Sequence, residues 1–427
     1  MRSLILALIP LLASAQNMPN FADVRPSPQQ IAWQQLEIGV LIHFGTNTFL
    51  DREWGDGTAP PDTFNPALLD AEQWVKAAKA GGAKYLIMVA KHHDGFALWP
   101  SRHTKYSVAA SPYKGGKGDV VREVERACRK HGLAFGVYLS PWDRHEPSYA
   151  DGRKYDDYYT KQTVELATRY GPLTEFWLDG AGSEGHVYDF MRYIRTLRTY
   201  QPNVLLFASL DLLPYADIRW VGNEEGHAPE ENWNVIDGYN VLRWRPAEAD
   251  TPLRKGHWFW HPNSENRLKS LEELQETYHK TVGRGAQLVL GLAPDSRGLL
   301  PEVDVKRLEE FGAWLKKTYG QSAPSPSLLS DGNPETWERQ AYITLKPGTV
   351  IDRAVMQEYL PDGQRVRRYR IEVRQGDEWK TVARGSTIGN KKIDIFDPVR
   401  ADAARLVIEA QIGKPRIAEF RVHDGSK

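Results

Sequence analysis

The chain has 427 residues and a formal net charge of zero, with 55 Lys plus Arg set against 55 Asp plus Glu. That length calls for one large domain and a smaller one, and the balance of charge excludes a basic field for nucleic acid or a polybasic membrane patch. The 14 Trp and 19 Tyr exceed what core filling usually needs, and an aromatic surplus at neutral charge fits a binder of uncharged, partly apolar ligands such as sugars.

The N-terminus reads as a targeting segment. Arg2 supplies a positive start, Leu4 to Leu12 an apolar stretch, and Ala13-Ser14-Ala15 a small-residue cleavage signal. We expect a signal peptide over 1–15, a mature chain from near Gln16, and export to periplasm or medium. No other stretch is long and apolar enough to span a bilayer. Cys128 is the sole cysteine, so no internal disulfide forms. It lies in an amphipathic helical run and reads as a buried small hydrophobe.

Ser27-Pro28-Gln29-Gln30 opens a short helix carrying Trp33 and Leu36. Gly39 to Gly45 reads as a buried strand with His43 near its end, followed by a Trp- and Gly-rich loop through Trp54. A helix from about Asp70 to Ala80 precedes a strand over Ala83 to Ala90, which ends in Lys91-His92-His93-Asp94-Gly95. Asp119 caps a helix that Gly132 stops. A third strand, Leu133 to Ser140, contains Tyr138, and a helix from about Tyr155 to Tyr170 leads to the fourth.

That fourth strand, Thr174 to Gly182, is the stretch on which the rest is organised. By strand periodicity Glu175, Trp177 and Asp179 share one face, while Phe176 and Leu178 share the other. An aspartate beside a tryptophan on an inward face suits sugar chemistry. The ring stacks on an apolar sugar face and the carboxylate meets the anomeric carbon. Read alone, Asp179 is also an ordinary turn former before Gly180. Helix 187–200, strand 204–209 and strand 218–221 follow, the last ending Gly222-Asn223-Glu224. Trp258 to His261 looks like strand seven. Helix 271–282, strand 287–292 and helix 303–318 close the unit.

About eight strands alternating with helices argue for a (β/α)₈ barrel over 16–322, with its polar residues at the C-terminal strand ends where such barrels build active sites. No Gly-x-Gly-x-x-Gly follows the first strand, so no dinucleotide cofactor is called for. Ala323-Pro324-Ser325-Pro326-Ser327 is a linker. Short β runs fill the remainder (341–345, 354–359, 368–373, 379–383, 404–408 and 417–422) and suggest a β-sandwich over 323–427, with Trp337 and Trp379 among its aromatics.

Four strand ends carry the polar groups that matter: His43, His92 with His93, Asp179, and Glu224. Two carboxylates of unequal environment are what glycoside hydrolysis needs, one ionised at the anomeric carbon and one holding a proton for the departing oxygen. Neutral imidazoles can donate to and accept from sugar hydroxyls at once. A metal site is the rival reading for the histidines. Adjacent His92 and His93 splay apart on a regular strand unless the chain turns there, and neither His-x-His nor His-Glu-x-x-His occurs. No metal is therefore expected.

Gly39-Val40-Leu41-Ile42-His43-Phe44-Gly45, Lys91-His92-His93-Asp94-Gly95-Phe96 and Phe176-Trp177-Leu178-Asp179-Gly180 together resemble the retaining α-L-fucosidases of glycoside hydrolase family 29, in order and spacing across the barrel. The resemblance implies Asp179 as nucleophile and His43, His92 and His93 as ligands of fucose hydroxyls. It implies Trp54 and Tyr138 as further pocket residues, Trp177 as pocket wall, and a C-terminal β-sandwich. Arg219-Trp220-Val221-Gly222-Asn223-Glu224 resembles the segment carrying the acid/base in the subfamily that prefers α-1,3/1,4-branched fucose. This implies Glu224 as acid/base and adds Trp220 to the substrate-binding set. Glu225, Glu230 and Glu231 are the alternatives. Trp258 and Trp260 are candidates to meet a neighbouring galactose. The expected partner is a fucosylated glycan. A broad-specificity fucosidase and a non-catalytic fucose-binding protein are the competing readings, and the presence of both Asp179 and Glu224 speaks against the latter.

Overall fold

The computed structural model describes residues 21, 23–208, 215–238, 241–320 and 341–423. The targeting segment, the Pro-Ser linker and Trp337 lie outside the described residues.

Eight parallel strands close into a barrel: β1 (Ile38–Ile42), β2 (Tyr85–Lys91), β3 (Ala134–Leu139), β4 (Glu175–Leu178), β5 (Leu205–Ala208), β6 (Ile218–Trp220), β9 (Ala247–Pro252) and β10 (Gln287–Leu292). An antiparallel hairpin, β7 (Val235–Gly238) with β8 (Val241–Trp244), is inserted between β6 and β9. The helices are α1 (Pro28–Gln34), α2 (Thr46–Leu50), α3 (Ala71–Ala80), α4 (Val120–His131), α5 (Gly152–Arg169), α6 (Phe190–Tyr200), α7 (Leu271–Thr281) and α8 (Glu302–Tyr319). Their ends follow local chemistry. The Asp119 carboxylate accepts from Arg122 N–H at the start of α4, and Gly132 ends that helix at φ 74°. Ser27 with Gln30 and Ser270 with Glu273 form reciprocal capping boxes at α1 and α7.

The two faces of each strand serve two cores. Phe176 and Leu178 of β4 join the apolar layer between barrel and helices, with Val40, Leu86, Met88, Val137, Leu206 and Leu290 from other strands. Trp177 joins Leu41, Tyr85, Ile87, Val89, Tyr138, Phe207 and Val289 inside the barrel. The alternation read for β4 is therefore the one that folds.

The seventh barrel strand differs from expectation. It is β9, Ala247–Pro252, whereas Trp258 to His261 forms a loop beyond it. The physical reason is that β9 turns two acids, Glu248 and Asp250, into the barrel, so it lacks the apolar run that marks a buried strand. The aromatic run at 258–261 folds over the barrel mouth instead. The Trp258 ring lies so close to Gly291 of β10 that a Cβ there would meet it at 2.6 Å.

The C-terminal β-sandwich is one antiparallel sheet in the order β13 (Glu378–Gly385), β12 (Val366–Gln375), β14 (Lys392–Gln411), β11 (Ala341–Glu358), β15 (Ile417–His423). Register shifts break the long β11–β14 ladder between Thr344 and Thr349 and between Ile351 and Arg353. Ile371 and Val373 of β12 meet Phe420 and Val422 of β15 in one core, although two strands separate them in the sheet order. The sheet thus folds over on itself at the bulges. Trp379 lies under the Arg405 guanidinium, 4.0 Å from ring centroid to Cζ. The sandwich meets the barrel at the foot of its strands. Asn390 donates to the Gln34 carbonyl, Lys391 pairs with Glu37 just before β1, and the Gln364 side chain accepts from Asn234 N–H.

Candidate active site

At the C-terminal mouth of the barrel one cavity, open to solvent, is lined by Leu41, His43, Trp54, His92, His93, Tyr138, Trp177, Asp179, Ala181, Glu224, Asp250 and Trp258.

His43 follows β1 and is buried. Loss of solvation, reinforced by the field of His93, pushes its pKa down to about 3, so it is a neutral imidazole. His92 is driven in the same direction by burial and by His93 and His43. The adjacent histidines do not splay. The chain turns after β2, with Gly95 N–H donating to the His92 carbonyl, and the two rings lie 4.1 Å apart facing the same cavity. Beneath the turn Lys91 is fully buried, and its ammonium donates to Asp143 at 2.7 Å and Gln162 at 3.0 Å.

The tautomer of His93 follows from its neighbours. The Ser140 hydroxyl donates to the Trp142 carbonyl at 2.8 Å, so at its 2.7 Å contact with His93 Nδ1 it must accept. The proton therefore sits on Nδ1. Burial also lowers the pKa of His93, partly offset by Asp179, so Nε2 carries a lone pair 3.7 Å from Asp179 Oδ2. Two acceptors facing each other at that distance form a receptor for a hydroxyl donor.

Asp179 is held at two points. Tyr138 Oη donates to its Oδ2 at 2.8 Å, and Ala181 N–H donates to Oδ1 at 3.0 Å. Below it the barrel floor is built from paired acids. Glu175 accepts from the indoles of Trp33 at 2.9 Å and Trp177 at 2.6 Å, and Glu248 accepts from Tyr85 Oη at 3.1 Å. The two glutamates are hydrogen-bonded to each other and share protons. Burial raises Glu175 to about 7, and burial with the field of Glu175 takes Glu248 well above the usual range. Trp177 stacks on Phe207 at 3.7 Å between centroids and 7° between planes, which fixes its ring in the wall.

Glu224 follows β6 in a turn held by Asn223, whose side chain donates to the His227 carbonyl and accepts from Glu225 N–H. Glu224 reaches the cavity. Glu225 turns instead toward His227, and neither it nor Glu230 nor Glu231 lines the cavity. Trp54 stands at the rim, 49% exposed, edge-on to His93 and Trp142. Trp258 is carried by its loop and held by Glu53, which accepts from the backbone N–H of Trp258 and Phe259 and from His261, itself bound to Asp51. Trp260 does not line the cavity.

Two residues depart from expectation. Trp220 does not line the cavity; its ring packs against the barrel-interior cluster and its indole donates to Asp250 Oδ1 at 2.5 Å. Asp250 itself escaped the sequence reading. It is only 5% exposed, and burial, with the fields of Glu224 and Asp179, raises its pKa to about 7. The signal that could have found it is the Glu248-x-Asp250 alternation on a short strand. Among the described residues no group of three His, Cys, Asp or Glu side chains is arranged to hold a metal ion.

The cavity is divided along the chain. Around the ring β6 stands opposite β2 and β9 opposite β3. The histidines and Tyr138 come from β1 to β3, while Glu224, Asp250 and Trp258 come from β6 onward.

A family model described as "Alpha-L-fucosidase" matches residues 58–321. Alpha-L-fucosidase 1 of Arabidopsis thaliana is 35% identical, over 92% of this chain and 86% of its own. A Ruminococcus gnavus GH29 fucosidase, solved in complex with fucose, superposes with a TM-score of 0.86 at 30% identity, covering 94% of this chain and 95% of that one. A glycoside hydrolase 29 family member from an unknown rumen bacterium gives 0.84 at 33% identity, covering 95% and 78%.

Proposed function

This chain belongs to the alpha-L-fucosidase family and is an α-L-fucosidase, a glycoside hydrolase acting on fucosylated substrates, and from that premise we propose that it removes terminal α-1,3/1,4-linked L-fucose by double displacement with retention. The observation that carries the reading is the Asp179 carboxylate just beyond β4, oriented by Tyr138 and Ala181, sharing one cavity with Glu224 and three buried neutral histidines.

In the first step an Asp179 oxygen attacks the anomeric carbon of fucose. The bond to the leaving oxygen breaks, its electron pair stays on that oxygen, and the Glu224 proton transfers there. The product is a fucosyl ester of Asp179. In the second step Glu224, now a carboxylate, takes a proton from water as that water attacks the same carbon, the ester bond breaks, and Asp179 leaves as carboxylate. Two displacements return the original configuration. Neutral His43, His92 and His93 bind fucose hydroxyls, with His93 Nε2 accepting. Trp54, Trp177 and Trp258 cover apolar faces. The branched-linkage preference rests on the Arg219-to-Glu224 segment, and export rests on the N-terminal targeting pattern.

Fucose release should be measured from a Lewis-type trisaccharide and from α-1,2-fucosylated lactose, with NMR of the first-formed anomer. Cleavage of the first alone, giving the α anomer, is expected. Comparable cleavage of both sinks the linkage preference, and the β anomer sinks retention. Asp179→Ala should abolish nearly all turnover. Glu224→Ala should hurt poor leaving groups far more than activated aryl fucosides.

A further inference from the structure

We propose that Asp250 is a third carboxyl group in contact with substrate, and that its protonated form donates a hydrogen bond from Oδ2 to a sugar oxygen on the leaving-group side of the scissile bond. The donor atom follows from geometry. The Trp220 indole can only donate, so Asp250 Oδ1 must accept, and a proton on this carboxyl sits on Oδ2. No other side chain among the described residues hydrogen-bonds the carboxyl. Oδ2 is thus the oxygen left for whatever fills the cavity that Asp250 lines.

The side of the substrate follows from topology. A glycosidic acid must reach the leaving oxygen, so Glu224 marks that end of the cavity. Asp250 lies on β9, next to β6 in the barrel, and senses the field of Glu224 as well as that of Asp179. His92 and His93, which would hold fucose hydroxyls, follow β2, the strand opposite β6. An uncharged, hydroxyl-bearing sugar fits a neutral donor here, because a carboxylate at this point would repel both reacting acids.

The charged groups around Asp250 favour the neutral form. Glu224 beyond β6 and Asp179 beyond β4 are acidic and raise its pKa, whereas Glu248, two residues earlier on β9, keeps its own proton and adds no charge. From β6 Asp250 meets the uncharged Trp220, and its register partner on β10 is Val289. With burial added, the group holds its proton to about pH 7.

The inference rests on Glu224 as the acid, so E224Q is run beside D250N and D250A, with an α-1,3-fucosylated trisaccharide and 2,4-dinitrophenyl fucoside as substrates from pH 5 to 9. Asn at 250 can still accept from Trp220 and donate through Nδ2, but it cannot ionise. We expect wild-type kcat/KM on the trisaccharide to fall above about pH 7, and D250N to stay within about threefold of wild type at pH 6 while losing that component of the fall. D250A should drop by about tenfold at every pH, mainly in KM, with an unchanged thermal midpoint separating this from misfolding. An alkaline fall in D250N identical to wild type, or D250A equal to wild type, overturns the proposal. So does D250N losing the trisaccharide while keeping the dinitrophenyl substrate, since Asp250 would then be transferring its proton. E224Q equally active on both substrates would remove Glu224 from its role, an outcome distinct from any of these.

Discussion

Exchanging the paired acids at the barrel floor should produce an ordered series of stabilities. Glu175 accepts two buried indole N–H groups and a proton from Glu248. Glu175→Leu leaves Trp33 and Trp177 without acceptors, at about 1–3 kcal/mol each, so about 2–6 kcal/mol in all. That is a large part of the ~5–15 kcal/mol that usually holds a domain. Glu175→Gln keeps one acceptor oxygen and turns an amide donor toward the other indole, so about 1–3 kcal/mol is expected. Glu248→Gln still offers an N–H to Glu175 and should cost least. Urea unfolding followed by tryptophan fluorescence and by activity measures the series. The pH dependence has a definite sign. Both pKa values are raised on folding, so the pair's contribution is complete below about pH 4.5, the ordinary glutamate range. It declines as the pH rises through the value of about 7 reached by Glu175. The double variant E175Q/E248Q, which cannot titrate there, should lose that decline. A Glu248→Gln cost equal to that of Glu175→Leu, or an unaltered decline in the double variant, would refute the shared-proton floor.

Tyr138→Phe removes one of the two donors on Asp179; kcat should fall about tenfold or more with little change in unfolding midpoint, measured on an aryl fucoside. His261→Ala loosens the carboxylate clamp on the Trp258 loop, so KM should rise more than kcat falls, and fucose should protect Trp258 fluorescence from acrylamide less well. Lys91→Met strands Asp143 in a buried site, and a loss of about 3–5 kcal/mol is expected in urea unfolding. Cys128 is fully buried and its thiol is pushed up to about 12, so Ellman's reagent should label it only at the rate of unfolding.

Legibility in the sequence tracked hydrophobic pattern. β1 to β5 showed as apolar runs because their outward faces pack under helices and most inward residues are apolar too. β9 did not, since Glu248 and Asp250 occupy its inward face, and an aromatic loop with the look of a strand took its place. The same misreading hid Asp250, whereas Trp220 stood as a sugar contact only through the resemblance of the Arg219-to-Glu224 segment. In the C-terminal domain 341–345 and 354–359 read as separate runs but belong to one strand, β11, whose bulges and surface charges interrupt the pattern. The approach of His92 to His93 was legible only as a condition. It depends on a turn closed by a backbone hydrogen bond that no side chain announces.

The order in which the chain delivers its groups around the ring has a consequence for diversification. On one arc the groups lining the cavity are complete by Asp179, whereas Glu224, Asp250 and the Trp258 loop arrive within a short later segment that also carries the β7–β8 hairpin. A recombination event, or a designed chimera, with junctions in α6 and α7 would swap that later segment as a cassette. The arc carrying the histidines, Tyr138 and Asp179 would be inherited intact while the side chains that face it across the cavity were exchanged.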